Sequence, residues 1–281
     1  MDKRNVRAHL RAGTGLGTSW QSFLQKSSSL VIQKSGRRKM SERFLLIDAG
    51  NSRLKAALYE NNIPIESWVF PNSEMEEALS FILQSEFSAI LVSSTAANES
   101  WFQSRLGAHR LYFFHHHQIK DLKIAYSEPD SIRKDRLAAM AGARILYPGK
   151  NICVADAGTC LTLDGLLADG THLGGIISPG MKMRFASMEY YTERLPLASE
   201  NELVGEFGDS TLRCLASGGV YGLVAEIEYH QNRLQKEWNQ HFELILTGGD
   251  GIFLAQRIKP ANFVVPDLVF QGMNAVLARL V

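Results

Sequence analysis

The chain has 281 residues, 45% of them hydrophobic, which suffices for one large core or two medium domains. No run of about 18 apolar residues occurs, so a membrane-spanning helix is excluded. The net charge of +1 hides an asymmetry, because residues 1–39 hold nine Lys or Arg and one acid, while 40–281 hold 21 basic and 28 acidic residues, a formal −7 without the basic run of a nucleic-acid binder.

In chain order, residues 1–39 are rich in Arg, Ser and Gly and lack hydrophobic periodicity. They have the basic, acid-poor composition of a transit peptide and no apolar signal core, and we read them as a disordered N-terminal extension. The glycines of Gly13–Thr18 imitate a phosphate loop, but no strand leads into them. Met40 stands directly before the first strand as an alternative start.

Phe44 to Asp48 reads as a buried strand that ends on a carboxylate, Asp48-Ala49-Gly50, and continues through Asn51-Ser52 into a hairpin with Asn61-Asn62 at its turn. Ser73 and Glu76 have capping-box spacing and predict a helix start. Ser88–Ser94 predicts a buried strand. His115, His116 and His117 follow one another; neighbours in a strand face opposite sides, so three in a row make a poor metal site and fit a solvated loop or strand end. Asp135 and Arg136 open an apolar helix that Pro148 ends.

Asn151 onwards repeats the opening pattern. An apolar run ends on Asp156-Ala157-Gly158, Thr159 takes the place of Asn51 or Ser52, and a hairpin turns at Ala168-Asp169-Gly170. Strand, Asp-x-Gly, strand, turn, strand thus occurs twice, which points to a duplicated α/β unit, 40–150 and 151–281, with a cleft between the halves. The second half continues with a helix over Pro179–Leu195 and a long one after Ser210 with a bend expected at Ser217-Gly218-Gly219. A strand, the glycine turn Gly248-Gly249-Asp250-Gly251 and two helices close the chain. Cys153, Cys160 and Cys214 form no C-x-x-C pair and no metal spacing, are expected to be buried or half-buried, and fit a reducing, cytoplasmic setting.

Glycines at the ends of buried strands let phosphate approach the backbone, whose amides, with the Asn51 and Ser52 side chains, can cradle its oxygens. Lys55 can neutralise phosphate charge, Asp48 suits Mg²⁺, and the turn at Gly248 suits the adenosine end of a nucleotide. Phosphoryl transfer also needs a residue to orient an acceptor hydroxyl, and Asp135 is the candidate, although an aspartate at a helix start is more often a cap. There is no P-loop and no G-x-S-x-G elbow.

Taken jointly, these pieces resemble the type III pantothenate kinases, a family of the actin-like superfold. The resemblance spans Phe44 to Leu280. It rests on D-x-G-N-[ST]-x-x-K (Asp48 to Lys55), Tyr126 and Pro129 with Asp135-Arg136, D-x-G-T (Asp156 to Thr159), Gly174 to Gly180, Thr211 followed by Ser-Gly-Gly, and Thr247 to Asp250. It implies two homologous actin-like (ribonuclease H-like) domains with mixed sheets, and ATP-dependent phosphorylation of pantothenate, the first step of coenzyme A synthesis. By resemblance, Asp48, Ala49, Gly50, Asn51, Ser52, Arg53, Leu54, Lys55 and Thr159 bind ATP. Asp135 is the base, and Tyr126, Arg133, Lys134, Asp135, Arg136 and Thr211 line the pantothenate site. Asp156 ligates the monovalent cation, potassium or ammonium, that the family needs beside Mg²⁺. The family is homodimeric, with the active site completed at the subunit interface, and acts on pantothenate and ATP with no nucleic-acid or membrane partner. One departure stands out: the family usually reads G-x-D-R, and here Arg133 replaces the glycine. We expect its side chain to point outward. A rival reading, a nucleotide-binding regulator of the same fold, would keep the phosphate loops and need no base at Asp135.

Overall fold

The first strand, β1 (Arg43–Ala49), is buried on both faces, as a central strand must be when helices cover its sheet on either side. The computed structural model describes residues 42–95, 98–124, 126–259 and 263–281. The readings made for residues 1–39, including Gly13–Thr18, and for Met40 lie outside the described residues.

β1 pairs antiparallel with β2 (Arg53–Glu60) and β2 with β3 (Ile63–Pro71). Asn61 and Asn62, at φ of 51° and 67°, make the left-handed turn that suits the twist of the flanking strands. After α1 (Met75–Ile82), β4 (Ala89–Ser94) returns parallel to β1. Then α2 (Glu99–Leu106) leads to β5 (Leu111–Phe113) at the far edge, giving the order β3-β2-β1-β4-β5. The second sheet repeats this plan. β7 (Ile152–Ala157), β8 (Cys160–Leu166) and β9 (Thr171–Pro179) form the meander, while β10 (Glu243–Thr247) and β11 (Phe263–Val264) lie parallel on the other side of β7. A short β6 (Lys123–Ile124) adds to the outer edge of β9.

Between the hairpin of the second sheet and its parallel strands run α4 (Met181–Tyr190) and α5 (Thr211–Trp238). α6 (Gly251–Ala255) precedes β11, and α7 (Leu268–Leu280) ends the chain. α3 (Lys134–Leu146) is the helix before β7.

Period-two alternation divides the buried side chains into layers. From β1, Phe44 and Leu46 pack with α3 and α7, and so do Ile152 and Val154 from β7. The opposite faces go outward: Leu45 and Ile47 pack against α1 and α2, and Cys153 and Ala155 against α5 and α6. The α3–α7 pair is therefore the filling between the two sheets. Two polar links tie α7 and the segment before it to the first sheet: the buried Tyr59 hydroxyl donates to Asp267 (3.0 Å), and the Asn274 amide donates to the Asn62 side chain (2.7 Å). Burial and the Asp267 carboxylate beside it push the Tyr59 phenol far above its ordinary value, so it stays a donor.

Four local expectations need correction. Ser73 and Glu76 form no capping box: residues 72–74 make a 3₁₀ turn after Pro71, the helix starts at Met75, and Glu76 is taken by Arg105 of α2. α4 stops at Tyr190 rather than at Leu195. α5 runs unbroken through 217–219, where Gly219 serves close packing instead, because a Cβ there would overlap the Phe185 ring of α4. Cys214 is exposed, whereas Cys153 is buried, its thiol pushed up to about 12 by burial and the charge of Asp164.

α3 and α7 cross backbone to backbone. A Cβ on Gly272 would overlap the Ala138 carbonyl oxygen, and one on Gly142 would overlap that of Leu268. In an exposed helix, Gly→Ala gains about 1 kcal/mol. Here Gly272→Ala should instead destabilise by about 1–3 kcal/mol or more, since neither backbone can retreat without opening the core. Urea titration of the variant checks this, and an unchanged or higher midpoint would contradict the crossing.

Candidate functional site

Each sheet ends its central strand in the same kind of loop. After Asp48, the Gly50 amide donates to the Arg53 carbonyl (3.0 Å), and after Asp156 the Gly158 amide donates to the Cys160 carbonyl (3.0 Å). The first loop is also clamped to the end of β3, because the Asn72 amide donates to the carbonyls of Gly50 (2.9 Å) and Asn51 (2.8 Å). The second is held by the Gly180 amide on the Thr159 carbonyl (3.2 Å). The two loops meet tip to tip, with the hydroxyls of Ser52 and Thr159 3.2 Å apart.

A third glycine turn packs on the second loop. Gly248 has φ of +86°, and a Cβ there would overlap Asp156 and the Ala157 carbonyl; the Asp250 amide donates to that same carbonyl (3.0 Å). Among the expected ATP-binding residues, Asn51, Ser52 and Arg53 are exposed at the loop tip, while the side chains of Ala49 and Leu54 are fully buried. The last two can offer a ligand only their backbone. Lys55 sits on β2 directly across from Asp48.

Asp48 is buried and Asp156 partly buried, and the two acids feel each other's charge. Burial, with the charges of Asp135 and Asp156 added, pushes the Asp48 carboxyl up to about 7, and Lys55 offsets only part of this. Burial also raises Asp156 to about 6, with Lys55 and Arg133 pulling down and Asp135 pushing up. Burial first, and acid crowding after it, makes these carboxylates costly to charge alone, a cost that a cation held by their oxygens would offset. Among the described residues no cluster of three or more His, Cys, Asp or Glu could hold a metal alone, the His115–His117 run included. Any cation here needs ligand oxygens or water to complete its shell.

The start of α3 brings in the third acid. Asp135 stands in its first turn and accepts from the Arg136 backbone amide (2.8 Å). Its neighbours divide in an unforeseen way. Lys134 is bound to Glu99 of α2 (2.6 Å). Arg136 turns into the core, only 4% exposed, where its guanidinium forks onto Asp164 of β8 (2.9 and 2.6 Å). Asp164 also bonds the buried His172 ring (2.9 Å), on which Tyr126 stacks at 6.1 Å. Arg133 does not point outward, as expected, but folds back on Asp135, with Nε 3.1 Å from one carboxylate oxygen and a terminal nitrogen 2.5 Å from the other. An extended backbone (φ −59°, ψ 139°) just before the helix puts the two side chains on one side, where a planar fork fits a carboxylate.

The structure thus gathers Asp48, Lys55, Asp135, Asp156, Thr159 and Arg133. Thr211, at the first turn of α5, lines an open pocket of about 530 Å³ with Met188, Leu195 and Cys214 and with none of those residues. Sequence reasoning missed Asn72, Glu99, Asp164 and His172. Asp164 carried a signal, a charge inside the otherwise apolar strand Cys160–Leu166; the other three did not.

Comparison with known proteins bears on the family and the fold. A sequence model of the type III pantothenate kinase family matches residues 44–233. A type III pantothenate kinase of Flavobacterium johnsoniae is 35% identical over 236 residues, 82% of this chain and 95% of the relative. One from Porphyromonas gingivalis is 34% identical over 239 residues, 83% and 97%. Among solved structures, a Campylobacter jejuni protein assigned to the Baf family of transcriptional activators superposes with a TM-score of 0.54 at 21% identity, covering 84% of this chain and 98% of its own. A Sinorhizobium meliloti protein assigned as a 2-dehydro-3-deoxygalactonokinase gives 0.52 at 12%, covering 84% and 99%. At these identities the structural likeness shows the fold alone, the actin-like fold of sugar kinases.

The raised acids carry a pH consequence. A carboxyl whose native value lies above its unfolded value of 3.8 contributes stability that is complete below about pH 4 and lost as the pH rises through about 6 to 7. The ligand-free protein should lose melting temperature between about pH 4 and 7, and Asp48→Asn should flatten that decline. Scanning calorimetry across this range measures it; an equal slope in wild type and variant would refute the assignment.

Proposed function

The chain belongs to the type III pantothenate kinase family, and from that premise we propose how its residues phosphorylate pantothenate with ATP. The observation that carries this reading is the convergence of Asp135, at the start of α3, with the two loops that begin at Asp48 and Asp156. A fold can duplicate its phosphate loops for any nucleotide, but a third carboxylate between them suits an acceptor hydroxyl.

In this account the exposed amides and side chains of Asn51, Ser52 and Arg53, with Thr159 opposite, bind the ATP phosphates, and Lys55 offsets their charge. Asp135 accepts a hydrogen bond from the pantothenate hydroxyl and aims its oxygen at the γ-phosphorus. As that oxygen bonds to phosphorus, the bond from phosphorus to the bridging oxygen breaks, its electron pair leaves with ADP, and the hydroxyl proton passes to Asp135. One buried and one partly buried acid fit the cations that the family resemblance implies: Asp48 for Mg²⁺ and Asp156 for potassium or ammonium. When bound, such ions neutralise charge on the phosphates.

Tyr126, Lys134 and Arg136 shape the acceptor side. With its guanidinium committed to Asp164, Arg136 acts by holding the start of α3 against β8. Thr211, which lines a separate pocket at the start of α5, we assign to the site of a second copy. Support comes from the apolar side chains exposed around it: Tyr190, Tyr191, Leu197, Val204, Phe207 and Leu212. A single protomer rarely leaves so many uncovered in one region, and a homodimer would cover them. We place the two halves at 40–150 and 151–281, meeting along α3 and α7, and the enzyme in the cytoplasm, consistent with three free cysteines. No helix among the described residues is long and apolar enough to cross a membrane.

The test is ADP release by purified protein given ATP, Mg²⁺ and potassium, with and without pantothenate, and with sodium in place of potassium. We expect turnover that requires pantothenate and falls at least tenfold in sodium, roughly the scale of losing one charge-stabilising contact. ATP binding without pantothenate-dependent turnover would return the chain to the regulator reading.

A further inference from the structure

Arg133 sits where the family resemblance expects glycine, and its position is not that of a passive replacement. Three cations crowd the start of α3, and two are committed away from the reaction: Lys134 to Glu99, and Arg136 to the buried Asp164. Arg133 alone of the three is paired with the acid proposed to take the substrate proton. Its guanidinium, about a third exposed at 34%, also lies within electrostatic reach of Asp48 and of Cys160 at the end of the second loop, and Asp156 feels its charge. The cation is thus paired with the acceptor's base and within electrostatic reach of residues at the ends of both phosphate loops.

We propose that Arg133 is a further catalytic residue, which holds Asp135 in the resting enzyme and transfers its fork to the γ-phosphoryl oxygens during the reaction. This rests on the kinase reading above. The physical reason is a change of partners. Once the pantothenate hydroxyl occupies one Asp135 oxygen, and more so once its proton arrives there, that carboxylate is a poorer acceptor for the guanidinium. At the same moment charge spreads over the three phosphoryl oxygens, which present the geometry that a planar fork matches in two hydrogen bonds. A guanidinium aimed at those oxygens stabilises the transition state more than the ground state, as arginines supplied to other phosphoryl-transfer sites do. The bonds made and broken are those already given, because Arg133 exchanges hydrogen-bond partners and neither gains nor loses a proton. The chain then departs from a glycine at this position without loss, since the arginine adds a contact that a backbone amide at a glycine would not make.

The experiment compares wild type with Arg133→Gly and Arg133→Lys, reading pantothenate turnover and, by calorimetry, the affinity for ADP with and without aluminium fluoride in the presence of pantothenate. We expect Arg133→Gly to lower kcat about 10²–10³-fold, as loss of one transition-state donor does, with the affinity for ADP alone within about twofold. Aluminium fluoride, which mimics the phosphoryl in flight, should tighten ADP binding in wild type and roughly tenfold less in the glycine variant. Arg133→Lys, keeping charge and losing the fork, should recover only part of both. Undiminished kcat in Arg133→Gly, or a change confined to the KM for pantothenate, would overturn the proposal and leave the kinase reading intact. Wild-type protein without pantothenate turnover would overturn both.

Discussion

α3 can lie where it does only because Gly142 and Gly272 have no side chains. The α3–α7 crossing brings two helix backbones into contact between two sheets. That contact sets the depth at which α3 begins and therefore where Asp135 stands relative to the strand ends at Asp48 and Asp156. A wider crossing would lift the first turn of α3 out of the gap between the loops. The site is thus built by packing some distance from any group that does chemistry, which is how an unstable arrangement, three acids in mutual repulsion, is held in place.

The two halves use one plan for different ends. Both run strand, Asp-x-Gly loop and meander, with parallel strands beyond. The first loop has a longer exposed tip, Asn51 to Arg53, clamped from outside by Asn72. The second is shorter, carries Thr159 and is backed by the glycine turn at Gly248. The repeated plan ends each central strand on an acid, and in the proposed reading the different tips give each loop its own share of a nucleotide. Burial first, and the crowding of acids after it, raises Asp48 and Asp156, and in the proposed reading this prepares the same gap for cations and polyphosphate together.

How much of this could be read from residue order depended on the range of the interaction. The strands around Asp48 and Asp156 and the hairpin turns at Asn61-Asn62 and Asp169-Gly170 were legible because they follow from neighbours in sequence. The helix start at Ser73 was misread because a glutamate at the right spacing says nothing of Arg105, which reaches it from 29 residues on. Arg136 and Asp164 are 28 apart and meet only once β8 lies beneath α3. Arg133 was expected outside because Asp135 and Arg136 beside it stand where the family resemblance places them. The carboxylate two residues on competed with water and prevailed, since a fork on an acid next to two further acids gains more than one in solvent. The bend foreseen in α5 failed for a similar reason: Gly219 answers to Phe185 on another helix and not to its own backbone.

Single-turnover kinetics of Asp135→Asn, beside its affinity for Mg·ATP, tests the central claim most directly. The amide keeps the shape of the carboxylate and cannot accept the proton. The account predicts Mg·ATP binding within about twofold of wild type and formation of phosphopantothenate slowed about 10²-fold or more. Near-normal phosphopantothenate formation in the variant would contradict it, because the acid that α3 delivers between the two loops would then not be the one that reacts.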